Sequence, residues 1–190
     1  MTRLVNNLLT LARLDADPAD MLVGAVDLGA LLRDVAASAS LLHPGRLVTY
    51  EPLSGTVIVR GDPDRLRQVV ANLLDNALKF THAGGHIVLA LRTETGDAVM
   101  HVRDDGVGIP PEDLPHVGER FYRADKARDR ESGGAGLGLS IVQAIVAAHD
   151  GSLGIQSAPG RGTTVTIRLP LLGDDVQTPT ASTVPATLPD

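Results

Sequence analysis

The sequence predicts an α/β sandwich: a mixed, mostly antiparallel sheet with helices packed on one face. Three observations carry this. Apolar residues recur with helical spacing over Pro63 to about Phe80. Two pairs of strand-like runs are joined by short Gly-containing turns, which reads as two hairpins. These elements interleave along a chain of 190 residues, long enough for one domain with flanking pieces.

Taken in order, residues 1–16 carry Leu4, Val5, Leu8, Leu9, Leu11 and Ala12 at roughly helical spacing, an apolar face that needs a partner. Residues 17–27 begin with the acidic, Pro-containing run Asp17-Pro18-Ala19-Asp20 and read as a linker. A helix is expected from Leu28 to Leu42 behind a capping Asp27, with His43-Pro44-Gly45 stopping it. Leu47–Glu51 and Thr56–Arg60 read as short strands with a turn between them. Asp62-Pro63 has the form of a helix start, a capping Asp followed by Pro at the first position. The helix behind it sets Leu66, Val69, Val70, Leu73, Leu74 and Ala77 on one stripe. His86–Arg92 and Asp97–Arg103 form the first hairpin. Ser152–Gln156 and Thr163–Leu169 form the second, and Leu137–His149 is a buried helix between them. The Gly-rich stretch from about Pro115 to Gly136 is too long for a routine connection, which marks it as functional. Residues 173–190 read as a disordered tail.

Composition removes some chemistries. There is no cysteine, so disulfides, thiolate metal sites and thiol catalysis are out. At 2% aromatic and 43% hydrophobic residues, the core must be aliphatic. A net charge of -6 argues against nonspecific binding to nucleic acid or an anionic membrane, so neither is an expected partner. The longest apolar stretch, Leu137 to Ala148, falls short of the ~18 residues that span a bilayer, and the expected location is cytoplasmic.

Three clusters can carry chemistry. Asn72, Asn76 and Lys79 sit at i, i+4 and i+7 on one strip beside the apolar stripe. An amide oxygen is a hard ligand suited to Mg²⁺, and an ammonium suits a phosphate. A solvated helix face is the plainer reading of that strip, but two mid-helix asparagines cost helix stability without packing. Asp104-Asp105-Gly106-Val107-Gly108-Ile109 follows a strand: a simple turn, or a carboxylate placed to accept from an exocyclic amine. Gly133 to Gly138 open a helix, either as a hinge or as an anion site of exposed N–H groups. The strand that precedes a dinucleotide fingerprint is missing, as is the Gly-Lys-Ser/Thr of a Walker loop.

In their order and spacing these motifs resemble the boxes of sensor histidine kinases. Asn72 to Thr81 resembles the N box, Asp104 to Ile109 the first glycine box, Glu119 to Arg123 the F box. Gly134 to Leu139 is similar to the second glycine box, and Ser157 to Thr163 to the closing Gly-Thr motif. The resemblance implies a Bergerat-type ATP-binding fold with an ATP lid over residues 28–172, and it makes residues 1–16 a remnant of the dimerisation-domain helix. It implies ATP and Mg²⁺ as cofactors and a protein-histidine kinase activity. Asn76 would hold the metal with Asn72 in support, Lys79 and Arg123 would meet the phosphates, and Asp104 would read the adenine amino group. Gly106 and Gly108 would let the ring in, and Phe80, Ile109 and Thr163 are further expected nucleotide-binding residues. Gly134, Gly136, Leu137, Gly138 and Leu139 would close the lid and open the helix under the triphosphate, with Phe121 and Tyr122 packing the lid. Asn72 stands where the ATPase branches of the superfamily use Glu, which favours transfer to a docked acceptor over hydrolysis.

None of the six histidines fits the phosphoacceptor pattern, and His149-Asp150-Gly151 resembles the structural turn after the last helix. The acceptor is therefore expected on a histidine-bearing dimerisation domain, upstream in the same gene or on a separate polypeptide, with a response regulator downstream. A membrane-bound sensor partner is compatible with that arrangement. The alternative is a noncatalytic ATP-binding regulatory module. It is motivated by the missing histidine and by Gly118, which stands near the usual aromatic of the F box and leaves the lid loosely packed.

Overall fold

The computed structural model describes residues 21–123 and 135–173. The expected N-terminal helix, the start of the linker, Gly133, Gly134 and the tail from 174 onward lie outside the described residues. Seven strands and three helices follow in order: β1 (Gly24–Asp27), α1 (Leu28–Leu42), β2 (Leu47–Glu51), β3 (Ile58–Gly61), α2 (Pro63–Phe80), β4 (His86–Glu94), β5 (Asp97–Asp104), α3 (Gly138–Ala147), β6 (Ser152–Ser157) and β7 (Thr163–Pro170). The main sheet has the strand order β2-β4-β5-β7-β6, and every neighbouring pair is antiparallel except β2 with β4.

Two expectations change. Residues 24–27, read as linker, form β1, which pairs antiparallel with β3 in a small second sheet. β2 and β3, read as neighbours across a turn, belong to different sheets. Both differences have one cause: the pairing partner is distant in sequence, and short strands take their identity from the partner more than from their own residues.

Period-2 alternation decides which face of the main sheet is buried. Ile87, Leu89 and Leu91 on β4 are 0%, 0% and 3% exposed. In register with them run two apolar rows, Tyr50–Leu89–Val102–Val165–Ile155 and Leu91–Met100–Ile167–Leu153. The three helices cover this face, packing Leu31, Leu32, Leu66, Val69, Leu73, Ile141 and Ile145 into one aliphatic core. Full burial of a Leu, Ile or Val is worth about 1.5–3 kcal/mol, so the stripe of α2 alone outweighs the helix cost of its two asparagines.

The helix ends follow the sequence closely. Asp27 caps α1 by accepting from Ala30 N, and Asp62 caps α2 through Asp64 N and Arg65 N. The second carboxylate oxygen of Asp62 accepts from Leu22 N at 3.1 Å, tying the incoming chain to the start of α2. His149 pins the same point from the other side. Its Nε2 accepts from Asp62 N at 3.0 Å, and its Nδ1 donates to Ile145 O at 2.7 Å. With both nitrogens engaged and 6% exposure, His149 is the buried structural group its sequence context implied.

Candidate nucleotide site

The site grows out of the last row of the main sheet. Next to the apolar rows runs Val48–Ile87–Asp104–Thr163–Ser157, on the same helix-covered face. Alternation that supplies Leu and Val to the interior thus supplies a carboxylate and two hydroxyls at the rim. Asp104 is 8% exposed. Its Oδ1 accepts from Gly106 N at 2.9 Å and from Thr163 N at 3.3 Å. Burial pushes its pKa up from the ordinary value, and the two backbone N–H groups offset part of that.

α2 reaches this row with its C-terminal end. Phe80 O accepts from Val107 N at 3.2 Å, binding the helix end to the loop after β5. Gly106 and Gly108, expected to admit a flat ring, are glycines for a further reason. A Cβ on Gly106 would lie 2.4 Å from Phe80 O, and one on Gly108, at φ +71°, would lie 2.0 Å from Ala158 O. They let three backbone segments close on one another around Asp104.

The amides of α2 separate in environment. Asn72 is 9% exposed, and its Nδ2 is buried with no hydrogen-bond partner among the described residues. Asn76 is half-buried, and its carboxamide lies 3.9 Å from where a Cβ on Gly138 would stand, beside the first residue of α3. Among the described residues no side-chain hydrogen bond caps α3 at Leu137, so its first-turn N–H groups keep the positive end of the helix dipole available. Leu137 itself is 1% exposed and anchors that end in the core. Lys79 Nζ stands 4.6 Å over the Phe80 ring, a cation–π contact at the C-terminal end of α2. Ile109 N donates to Ser157 Oγ at 2.8 Å, fixing the loop to the end of β6.

The F-box segment sits at the other end of α3's entry. Phe121 N donates to Gly136 O at 2.9 Å, and Gly136 takes φ +69° with its Cα against Phe121 and Tyr122. Phe121, expected to pack, is 60% exposed and in the left-handed region at φ +66°. Tyr122 turns toward its own turn: its hydroxyl donates to Asp113 Oδ1 at 2.6 Å, and its ring lies 5.4 Å from that of His116. Hydrogen bonding to Asp113 raises its pKa. Arg123 and Leu139 are half-buried on either side of this junction. Gly118 does not leave a gap. A Cβ there would meet the Gln143 carboxamide at 2.2 Å, so the absence of a side chain lets this segment close on α3.

Sequence reasoning quoted Ser157 only as the first residue of a motif and Thr81 only as the last of the N box, with no role for either; the buried Oγ1 of Thr81 has no hydrogen-bond partner among the described residues. The available signal for Ser157 was a hydroxyl residue ending one hairpin strand opposite the Gly-Thr that begins the other.

Residues 61–173 match the family described as histidine kinase-, DNA gyrase B-, and HSP90-like ATPase. The chain is 41% identical over 174 residues to the probable sensor histidine kinase TcrY of Mycobacterium tuberculosis, covering 91% of this chain and 36% of that protein. It is 38% identical over 172 residues to the sensor histidine kinase YkoH of Bacillus subtilis, covering 88% of this chain and 36% of that protein. It therefore spans about a third of the length of these curated relatives. Among solved structures it is similar to full-length ShkA in complex with AMPPNP, with a TM-score of 0.76 and 32% identity over 89% of this chain and 35% of that one. The mycobacterial sensor histidine kinase MprB aligns with a TM-score of 0.68 and 30% identity over 79% of this chain and 98% of that one. The chain belongs to the histidine kinase-, DNA gyrase B- and HSP90-like ATPase family, and the relatives it resembles are sensor histidine kinases.

Proposed function

We propose that this chain binds ATP and passes its γ-phosphate to a histidine on a dimerisation domain supplied elsewhere. The observation that carries the reading is a convergence. The Asn76 carboxamide lies beside the start of α3, and the helix that carries it ends at Phe80, whose carbonyl holds the loop that follows the buried Asp104. Phosphoryl transfer needs positioning and charge neutralisation more than covalent help from the protein, and these groups are of that kind.

Asp104 keeps acceptor capacity beyond its two backbone bonds and takes the exocyclic amine of adenine. The first-turn N–H groups of α3 hold phosphate oxygens, assisted by Lys79 and Arg123. The donor set fits Mg²⁺: Asn76 offers a neutral hard oxygen next to the helix start, where phosphate oxygens complete the shell. When bound, the ion neutralises charge on the phosphates. Asn72 presents a buried N–H donor with no partner among the described residues, rather than a base. It suits orientation of an oxygen atom near the metal ligand and cannot itself activate water at neutral pH, which favours a docked imidazole as acceptor. Among the described residues no helix is long and apolar enough to cross a membrane. We place the domain in the cytoplasm, beside a sensor partner and upstream of a response regulator.

Incubation of the chain with γ-labelled ATP, Mg²⁺ and a histidine-bearing dimerisation domain from a close relative tests this. The partner should acquire acid-labile label, and Asn76→Ala should abolish it together with Mg²⁺-dependent ATP uptake. ATP uptake without transfer to any such partner would reject the kinase reading.

A further inference from the structure

Ser157 ends the row that carries Asp104 and Thr163, and the reading above gives it no task. Its Oγ lies 2.8 Å from Ile109 N, 2.9 Å from Gly162 O and 2.9 Å from Thr163 Oγ1. A hydroxyl has one proton and two lone pairs. Gly162 O only accepts, so it takes the Ser157 proton. Ile109 N only donates, so it fills one lone pair. The remaining lone pair is met by the proton of the Thr163 hydroxyl. The reverse orientation, Ser157 donating to Thr163, gives up the bond to Gly162 O in a turn where Gly162 is buried.

Thr163 Oγ1 is therefore left with lone pairs alone. Thr163 and Asp104 are register partners, so their side chains share a face. One carboxylate and one hydroxyl, both acceptors, then stand together at the rim of the sheet. We propose that Ser157 is a positioning residue that fixes the Thr163 hydroxyl as an acceptor, so that the site selects a purine bearing an exocyclic amine over one bearing a carbonyl oxygen. This rests on the ATP-binding reading. A guanine in the same orientation brings its O6 acceptor against a carboxylate and a hydroxyl with no proton to offer. Without Ser157, the Thr163 hydroxyl turns its proton toward such an oxygen and part of the discrimination is lost.

The test is the ratio of GTP to ATP dissociation constants, measured calorimetrically with Mg²⁺ on the purified chain. Ser157→Ala should narrow the ratio about tenfold, the worth of one hydrogen bond changing from repulsive to attractive. Ser157→Thr, which keeps the hydroxyl, should restore it. Thr163→Val, which removes the acceptor, should also narrow it, and adding Ser157→Ala in that background should change the ratio no further. If Ser157→Ala does not fold, the Thr163→Val measurement decides alone. Equal loss of both affinities in Ser157→Ala, with the ratio unchanged in Thr163→Val, would overturn the proposal and reduce Ser157 to a turn residue. Failure of the unaltered chain to take up ATP would instead overturn the function on which the proposal rests.

Discussion

Gly108 and Gly160 share a backbone conformation, φ +71°, but not their surroundings. A Cβ on Gly160 meets nothing within 4 Å, whereas one on Gly108 lies 2.0 Å from Ala158 O and 2.7 Å from Ala158 C. Alanine at either position incurs the left-handed penalty of about 1–2 kcal/mol. Only at Gly108 must the loop after β5 also retreat from the turn between β6 and β7, by roughly 1.4 Å if a carbon–oxygen contact is to return to ordinary packing distance. Two hydrogen bonds cross that junction, Gly160 N to Val107 O at 2.8 Å and Ile109 N to Ser157 Oγ at 2.8 Å. A retreat of that size breaks both, at about 1 kcal/mol each. Gly160→Ala should therefore cost about 1–2 kcal/mol and Gly108→Ala about 3–4. At about 2–4 °C per kcal/mol for a domain of this size, melting temperatures should fall by roughly 4 °C and 10 °C. Scanning calorimetry measures both. Because the same junction positions Asp104 and Thr163, ATP affinity should fall in Gly108→Ala and stay near the original in Gly160→Ala. Equal losses of stability in the two variants would refute the claim that Gly108 is required by close approach rather than by its dihedral angle.

Two further outcomes follow from single groups. The buried Asp104 carboxyl has a raised pKa, chiefly because burial disfavours its charge. The folded state thus holds this proton where the unfolded chain has lost it. That contribution to stability is present below the ordinary value of 3.8 and is lost as pH rises through the folded pKa. Adenosine binding, which needs the ionised acceptor, should strengthen over the same window; adenosine is the suitable probe because it has no phosphate to titrate. Titrations across that range should show stability and affinity moving in opposite directions, and Asp104→Asn should flatten both; persistence of either slope in the variant would assign it to another group. His149→Leu strands Asp62 N and Ile145 O in the core, at about 1–3 kcal/mol each. Denaturant titration should show a loss of about 2–6 kcal/mol with ATP affinity per folded molecule retained; a change under about 1 kcal/mol would mean that neither bond contributes.

The sequence made the helices legible and left the sheet pairing hidden. α1 and α2 occupy the expected ranges because caps and periodicity are local: Asp27 and Asp62 each accept from the first turn they precede. The hairpins β4–β5 and β6–β7 were legible for the same reason, since each pairs across a short turn. β1 was not, because four residues with one buried Val carry no pattern until β3 lies beside them. The parallel pairing of β2 with β4 crosses over α2 and leaves no local trace. Motif order picked out Asn76 and Gly138, which the structure sets beside each other, and Asp104, whose following loop is bound to the end of the helix that carries Asn76. Spacing could not show that Gly106 and Gly108 meet protein backbone, that Phe121 faces solvent, or that Gly118 abuts Gln143.

The core and the site share one register, and that constrains how either can fail. Asp104 faces the helices because Val102 and Met100, two and four residues earlier, do so. A slip of one residue in the β5–β7 ladder would move Ala98, Met100, Val102, Val165, Ile167 and Leu169 off their partners and turn one strand's apolar set outward. At about 1.5–3 kcal/mol per buried aliphatic side chain, the three residues of one strand come to about 4.5–9 kcal/mol, comparable with the whole stability of an ordinary domain. The slipped state is then unpopulated, and the pairing of Asp104 with Thr163 and of Thr163 with Ser157 is held by residues that touch no ligand. Precision at the rim therefore depends on the aliphatic rows behind it. Truncating Val102 or Val165 should loosen nucleotide discrimination only when the ladder itself begins to open, whereas changing Ser157 acts on the hydroxyl alone. The two kinds of defect separate by temperature: the first grows steeply as the domain approaches its melting point, and the second is present when the fold is fully intact.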